Sequence, residues 1–150
     1  MRNAALIFGA VLVMAAPPFA VAGPKEEAAS AIDQWAAALN SNDVERIVAT
    51  YVPDATVHGT VSPNLATGAD ALRAYFTPAT KTKVQVKMGD SSAIALSDDA
   101  VVVAGFYEFS GTTPSGPYTI PARYSFVVAK QDGQWRIVHH HSSQRPKPPQ

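Results

Sequence analysis

Residues Pro121–Pro146 read PARYSFVVAKQDGQWRIVHHHSSQRP. Two runs rich in β-branched and aromatic residues flank Gln131-Asp132-Gly133, and Asp-Gly readily takes the positive φ values of a tight hairpin turn. The stretch therefore predicts two antiparallel strands: Tyr118–Lys130, interrupted near Pro121, and Trp135–Ser143, the last strand. Side chains alternate along a strand. Ile137, His139 and His141 are expected to face one way, and Val138, His140 and Ser142 the other. By the same parity Arg123 falls opposite Phe126, barring a bulge near Pro121. Three adjacent histidines on one strand cannot all converge on one point.

Upstream of this hairpin the pattern stays strand-like. Ala100–Ser110 is a long β-branched and aromatic run, followed by a hairpin loop over GTTPSG, Gly111–Gly116. Lys83–Met88 alternates, with Val84, Val86 and Met88 on one face. Ala93–Leu96 continues it past a kink or bulge near Gly89, and Ser97-Asp98-Asp99 is a turn. The amino-terminal half is helical instead. PKEEAASAIDQWAAALN, Pro24–Asn40, has proline in the first turn, Glu26 and Glu27 at the positive end of the helix dipole, and Ile32, Trp35, Ala36 and Leu39 at helical spacing. Asp43 is placed to cap a second short helix, Val44–Tyr51. Pro53-Asp54 predicts a turn, Ala55–Gly59 a short extended piece carrying His58, and Val61–Thr67 a loop. Asp70–Phe76 predicts a third helix, ended by Pro78. Three helices followed by a long antiparallel meander argue for an α+β fold, with the helices packed on one face of a strongly curved sheet.

The chain has 150 residues, no cysteine, and 12 Lys and Arg against 12 Asp and Glu. Its opening, MRNAALIFGAVLVMAAPPFAVAG, holds an early arginine, an apolar run Ala4–Ala16 too short to span a bilayer comfortably, and a small-residue cleavage site at Ala20-Val21-Ala22. Residues 1–22 are expected to be a signal peptide cleaved before Gly23, with an uncleaved anchor as the alternative. Residues 23–145 make one domain, and residues 146–150 a proline-rich, disordered tail. A periplasmic or secreted location follows. Without cysteine there is neither a lipid-anchor site nor a disulfide framework. Loss of Arg2 with the leader leaves a net charge of −1. That balance offers no electrostatic footprint for nucleic acid or for an anionic membrane.

DGQWRIVHHHSSQRP, preceded by PARYSFVVAK, resembles the last hairpin of the nuclear transport factor 2-like superfamily. YVPDATVHGTVSP followed by TGADALRAYF resembles the middle of one branch of it. That branch holds the calcium/calmodulin-dependent protein kinase II association domain and its free-standing, SnoaL-like bacterial relatives. The resemblance covers nearly all of the chain after the leader. It implies a cystatin-like α+β roll: a cone whose curved antiparallel or mixed sheet packs against three helices around a pocket. It also implies a homodimer or larger ring. The superfamily hosts isomerases, dehydratases, pure ligand binders and oligomerisation hubs, so fold leaves activity open. Positions expected to carry the branch's pocket arginines hold Phe126 and Ser142 here.

By this resemblance the face with Val138, His140 and Ser142 is the concave one, shared with Tyr124 and Phe126. Tyr51, His58 and Tyr75 are placed to join from the helical side. The expected ligand pocket is therefore Tyr51, His58, Tyr75, Tyr124, Phe126, His140 and Ser142. Imidazole titrates near working pH, so His140 beside a tyrosine such as Tyr124 could move a proton. Glu108, an acid in mid-strand, could serve as base if burial raises its pKa. Against this, buried histidines are commonly paired for structural reasons, and acids are seldom buried alone. No metal is expected, because His139 and His141 supply two ligands and no cysteine or HExxH adds others. No nicotinamide or flavin cofactor is expected either, since no G-x-G-x-x-G follows a strand. His139 and His141 fall on the convex face, where Val101, Val103 and Val127 offer area for a second subunit. Two functions stay open. One is binding of a small-molecule ligand, or oligomerisation, without chemistry. The other is a cofactor-independent isomerase or dehydratase acting on an apolar polyketide- or steroid-like substrate through His140 and a tyrosine or Glu108.

Overall fold

The computed structural model describes residues 22–147. Apart from Ala22, the expected leader lies outside the described residues, as do the last three residues of the expected tail. The elements follow as α1 (Pro24–Asn40), α2 (Val44–Val48), β1 (Tyr51–His58), β2 (Leu65–Thr67), α3 (Gly68–Lys81), β3 (Gln85–Ser97), β4 (Ala100–Thr113), β5 (Gly116–Gln131) and β6 (Gln134–Gln144). All six strands form one sheet in the order β2-β1-β6-β5-β4-β3. Neighbours are antiparallel except β1 and β6, which run parallel. The expected α+β architecture, helices on a mixed sheet, is the one observed.

The local signals at both ends of the chain act as patterned. α1 buries Ile32, Trp35, Ala36 and Leu39, together with Ala28, Ala31 and Ala38. Its end is clipped to β3 through Asn40, whose Nδ2 donates to the Val86 carbonyl at 2.9 Å while Oδ1 accepts from the Val86 N–H at 2.7 Å. The Asp43 carboxylate caps α2 by accepting from the Glu45 and Arg46 N–H groups. At the β5–β6 hairpin, Asp132 and Gly133 take φ of 51° and 76°, the left-handed values that the turn requires.

The three prolines expected to break elements do not. Pro53 lies inside β1, where the register against β6 slips between Tyr51 and Thr56. A bulge tolerates a missing donor. α2 accordingly stops at Val48, and Tyr51 opens the strand instead of closing the helix. Pro78 sits within α3. It removes one N–H, yet its carbonyl still accepts from Thr82 N at 3.1 Å, so the last turn persists. Pro121 lies opposite Glu108 in a β4–β5 ladder that runs unbroken from Ala100↔Ala129 to Thr113↔Gly116. Its carbonyl points to the β6 side, where it accepts from Arg145 N at 3.0 Å. A residue's N–H and C=O share one side in an antiparallel pair, so no β4 ladder bond is lost. The expected GTTPSG loop shrinks to Pro114-Ser115, and β2 forms inside the expected loop before α3. β3 starts at Gln85 and slips register between Met88 and Ser91, the site of the expected kink.

β6 departs from simple alternation. Val128 pairs with Ile137 but Val127 pairs with His139, leaving Val138 as the extra residue of a bulge. Parity changes across it. Ile137 is fully buried on the same face as His140 and Ser142, and Val138 is only half-buried. This corrects the expected grouping of Ile137 with His139 and His141. Arg123 is exposed and opposite the buried Phe126, as expected. Val101 and Val103 belong to the core with Trp35, Phe126, Ile47 and Leu72, not to the convex face. Val127 does lie on that outer side, half-buried.

Candidate functional site

His140 stands on β6 directly opposite Phe126 of β5 and is 2% exposed. Its ring stacks on Phe126 with centroids 4.0 Å apart and planes at 21°, and meets the Trp35 ring edge-on at 5.1 Å. Both ring nitrogens are hydrogen-bonded. The Tyr51 hydroxyl lies 3.0 Å from Nδ1 and the Tyr107 hydroxyl 3.1 Å from Nε2. Tyr51 comes from the first residue of β1, beside β6, and Tyr107 reaches across β5 from β4.

Burial holds this cluster neutral. It pushes the His140 pKa down to about 3, and the charges of His139 and His141 add to the shift. Burial also raises the pKa of Tyr51 and of Tyr107. A neutral imidazole has one N–H and one bare nitrogen, so one tyrosine donates to it and the other accepts. The buried indole N–H of Trp35 has no hydrogen-bond partner among the described residues. The hydroxyls of Thr60 and Ser142 bond each other.

Those two hydroxyls reach the wall of a cavity of about 260 Å³ between α1, α3 and the inner face of the sheet. α1 supplies Trp35 and Leu39, α3 supplies Tyr75, Phe76, Pro78 and Ala79, and the sheet supplies Phe109, Tyr118 and Ile120. Its lining residues with polar side chains include Thr60, Tyr75, Thr82, Tyr118, His140 and Ser142, and no Asp, Glu, Lys or Arg lines it among the described residues. Gly59 is needed here because a Cβ at that position would run into the Tyr75 ring.

Of the pocket residues expected from sequence, Tyr75, His140 and Ser142 line this cavity. Tyr51 and Phe126 contact His140 without lining it. Tyr124 is buried on the inner face, its ring 4.8 Å from that of Tyr107; the hydroxyls on His140 come from Tyr51 and Tyr107 instead. His58 does not join them. Alternation along β1 turns it to the outer face, where it is exposed and its ring lies 6.1 Å from His139 and 5.7 Å from His141. Glu108 is exposed on the face opposite Tyr107, away from the cavity. Tyr107 and Thr60 escape the sequence reading. Tyr107 shares odd parity with Val101, Val103 and Phe109, which was the available signal, but its approach to His140 depends on the β4–β5–β6 register.

Helices on a six-stranded mixed sheet, with a cavity between them, define a nuclear transport factor 2-like fold of the cystatin-like kind. A family model for the calcium/calmodulin dependent protein kinase II association domain matches residues 24–146, and the chain belongs to that family. It is similar to the crystal structure of such an association domain from Xanthomonas campestris, with 33% identity, 82% of this chain and 89% of that one covered, and a TM-score of 0.77. A nuclear transport factor 2-like protein with a cystatin-like fold from Novosphingobium aromaticivorans shares the fold at 14% identity, with 83% of this chain and 84% of that one covered and a TM-score of 0.70. So does the kinase II hub homology domain of Chlamydomonas reinhardtii, at 24% identity, 80% and 97% coverage and a TM-score of 0.66. No curated protein matches the chain.

Proposed function

We propose that this chain is an exported association domain, a homodimer or larger ring, whose subunits each hold a small uncharged ligand and do no chemistry on it. The binding of His140 carries the reading. Both of its nitrogens are engaged by buried tyrosines, and a pKa of about 3 keeps the ring neutral and a weak base near neutral pH. Proton transfer needs a base facing the reacting atom, and no carboxylate lines the cavity among the described residues. A binding site needs shape and a few hydrogen bonds. An apolar wall with Thr60 and Ser142 at one place supplies both. Family membership supports association, as do Ile94, Leu96 and Phe106, exposed on the outer side of β3 and β4. The apolar leader supports export.

Native mass spectrometry of the untagged mature chain tests this. An oligomer starting at Gly23 and carrying an organic mass is the expected spectrum. A bare monomer overturns the association reading. Turnover of an enolisable ketone that is lost in Tyr107→Phe overturns binding without chemistry.

A further inference from the structure

The outer face of the sheet carries a second histidine constellation, apart from the cavity. β1 and β6 run parallel, in a register that sets Thr56 beside His139 and His58 beside His141. His139 and His141 are two residues apart on one strand, and His58 comes from its neighbour, so the three share one face. From sequence, the outer pair lacked a third ligand. The β1–β6 pairing supplies it.

The spacing is close to that of a shared ion. Two imidazoles bound to one metal at about 2.0–2.1 Å, at a tetrahedral angle, have ring centroids about 5 Å apart. His58 lies 5.7 Å from His141 and 6.1 Å from His139 by ring centroid. As the side chains stand, no three metal-ligating groups converge among the described residues. His58 stands about an ångström beyond that spacing from each of the other two rings, and closure on an ion requires rotation about the broad χ2 of the exposed histidines. His58 and His141 are exposed, and their rings make no hydrogen bond among the described residues. His139 is already oriented, with Nδ1 2.7 Å from the Thr56 hydroxyl. With Nδ1–H donating to that oxygen, Nε2 is the ligating atom, an arrangement that commonly fixes metal-binding histidines.

We propose that His58, His139 and His141 form a divalent transition-metal site on the outer face, closed by rotation of His58 and His141 onto the ion. Three neutral imidazoles suit zinc, copper or nickel and leave a coordination position open. A His-x-His pair alone would bind weakly and without need of His58, and this distinguishes the two cases.

Calorimetric titration of the untagged, chelator-treated chain with zinc chloride gives the first readout, and visible absorption of the cobalt form the second. One saturable zinc per chain and tetrahedral-type cobalt bands are expected. His58→Gln and His141→Gln should each weaken zinc binding by about tenfold or more, and Thr56→Val, acting only through His139, by about tenfold. Unfolding midpoints without metal serve as the control that each variant is folded. Absence of saturable binding by the wild type overturns the proposal. Wild-type affinity in His58→Gln also overturns it, reducing the cluster to a surface pair.

Discussion

Acidification from about pH 6 to about pH 4 protonates a solvated histidine but not His140. Its pKa is about 3 in the folded chain, against about 6.5 when unfolded. Over that interval the unfolded state binds the proton and the folded state does not. The contribution is fully present above the unfolded pKa and is lost as pH falls toward the folded one. Linkage at about 1.4 kcal/mol per pH unit, tapering at the upper end, makes the loss about 2–3 kcal/mol between about pH 6 and about pH 4. Glu27, held low by its bonds from Lys130 and Trp135, and the half-buried His139 shift stability in the same direction. The quantity to measure is therefore the difference between the wild type and His140→Gln. That variant keeps one donor and one acceptor but does not titrate. Urea unfolding at a series of pH values should show the wild type's advantage shrinking by about 2–3 kcal/mol across the interval. Parallel stability curves would refute the argument that burial holds the ring neutral.

Tyr107→Phe leaves the buried Nε2 of His140 without its hydrogen-bond partner and should cost about 1–3 kcal/mol in urea unfolding, with Tyr51→Phe of similar size. The double variant should fall short of their sum because both act on one ring, and an unchanged unfolding midpoint in either single variant would count against the assigned bonds. Gly59→Ala displaces the Tyr75 ring and should lower the thermal midpoint while changing uptake of an apolar dye by the cavity; wild-type behaviour in both would mean the ring has room to spare. Ile94→Asp combined with Phe106→Asp puts charge on the exposed outer face and should shift the native mass toward monomer with the circular dichroism spectrum unchanged. An intact oligomer would move the interface to another surface.

The features legible in the sequence are local ones. The stripe Ile32, Trp35, Ala36, Leu39 repeats at helical spacing and is buried along α1. Asp43 caps because its side chain needs only the next three residues. Asp132-Gly133 turns because both residues tolerate positive φ. The prolines were misread because a proline breaks an element only where a hydrogen bond needs its N–H. For Pro53 and Pro121 that need is decided by the neighbouring strand, which local pattern does not contain. Alternation likewise put His140 and Ser142 on one face, which the family resemblance implied to be concave, but lost Ile137, since the bulge at Val138 exists only against β5.

The sequence by itself determined the three helices, the final hairpin and the α+β class, and the family resemblance it carries implied the inward direction of His140. The tertiary structure alone decided what His140 meets. Tyr51 and Tyr107, its two hydrogen-bond partners, lie 89 and 33 residues away. It alone also turned His58 away from the cavity and set it beside His139 and His141. The physical reason is register. Each strand's periodicity says which side chains share a face, but only pairing and bulges between strands set which faces meet, and at what height.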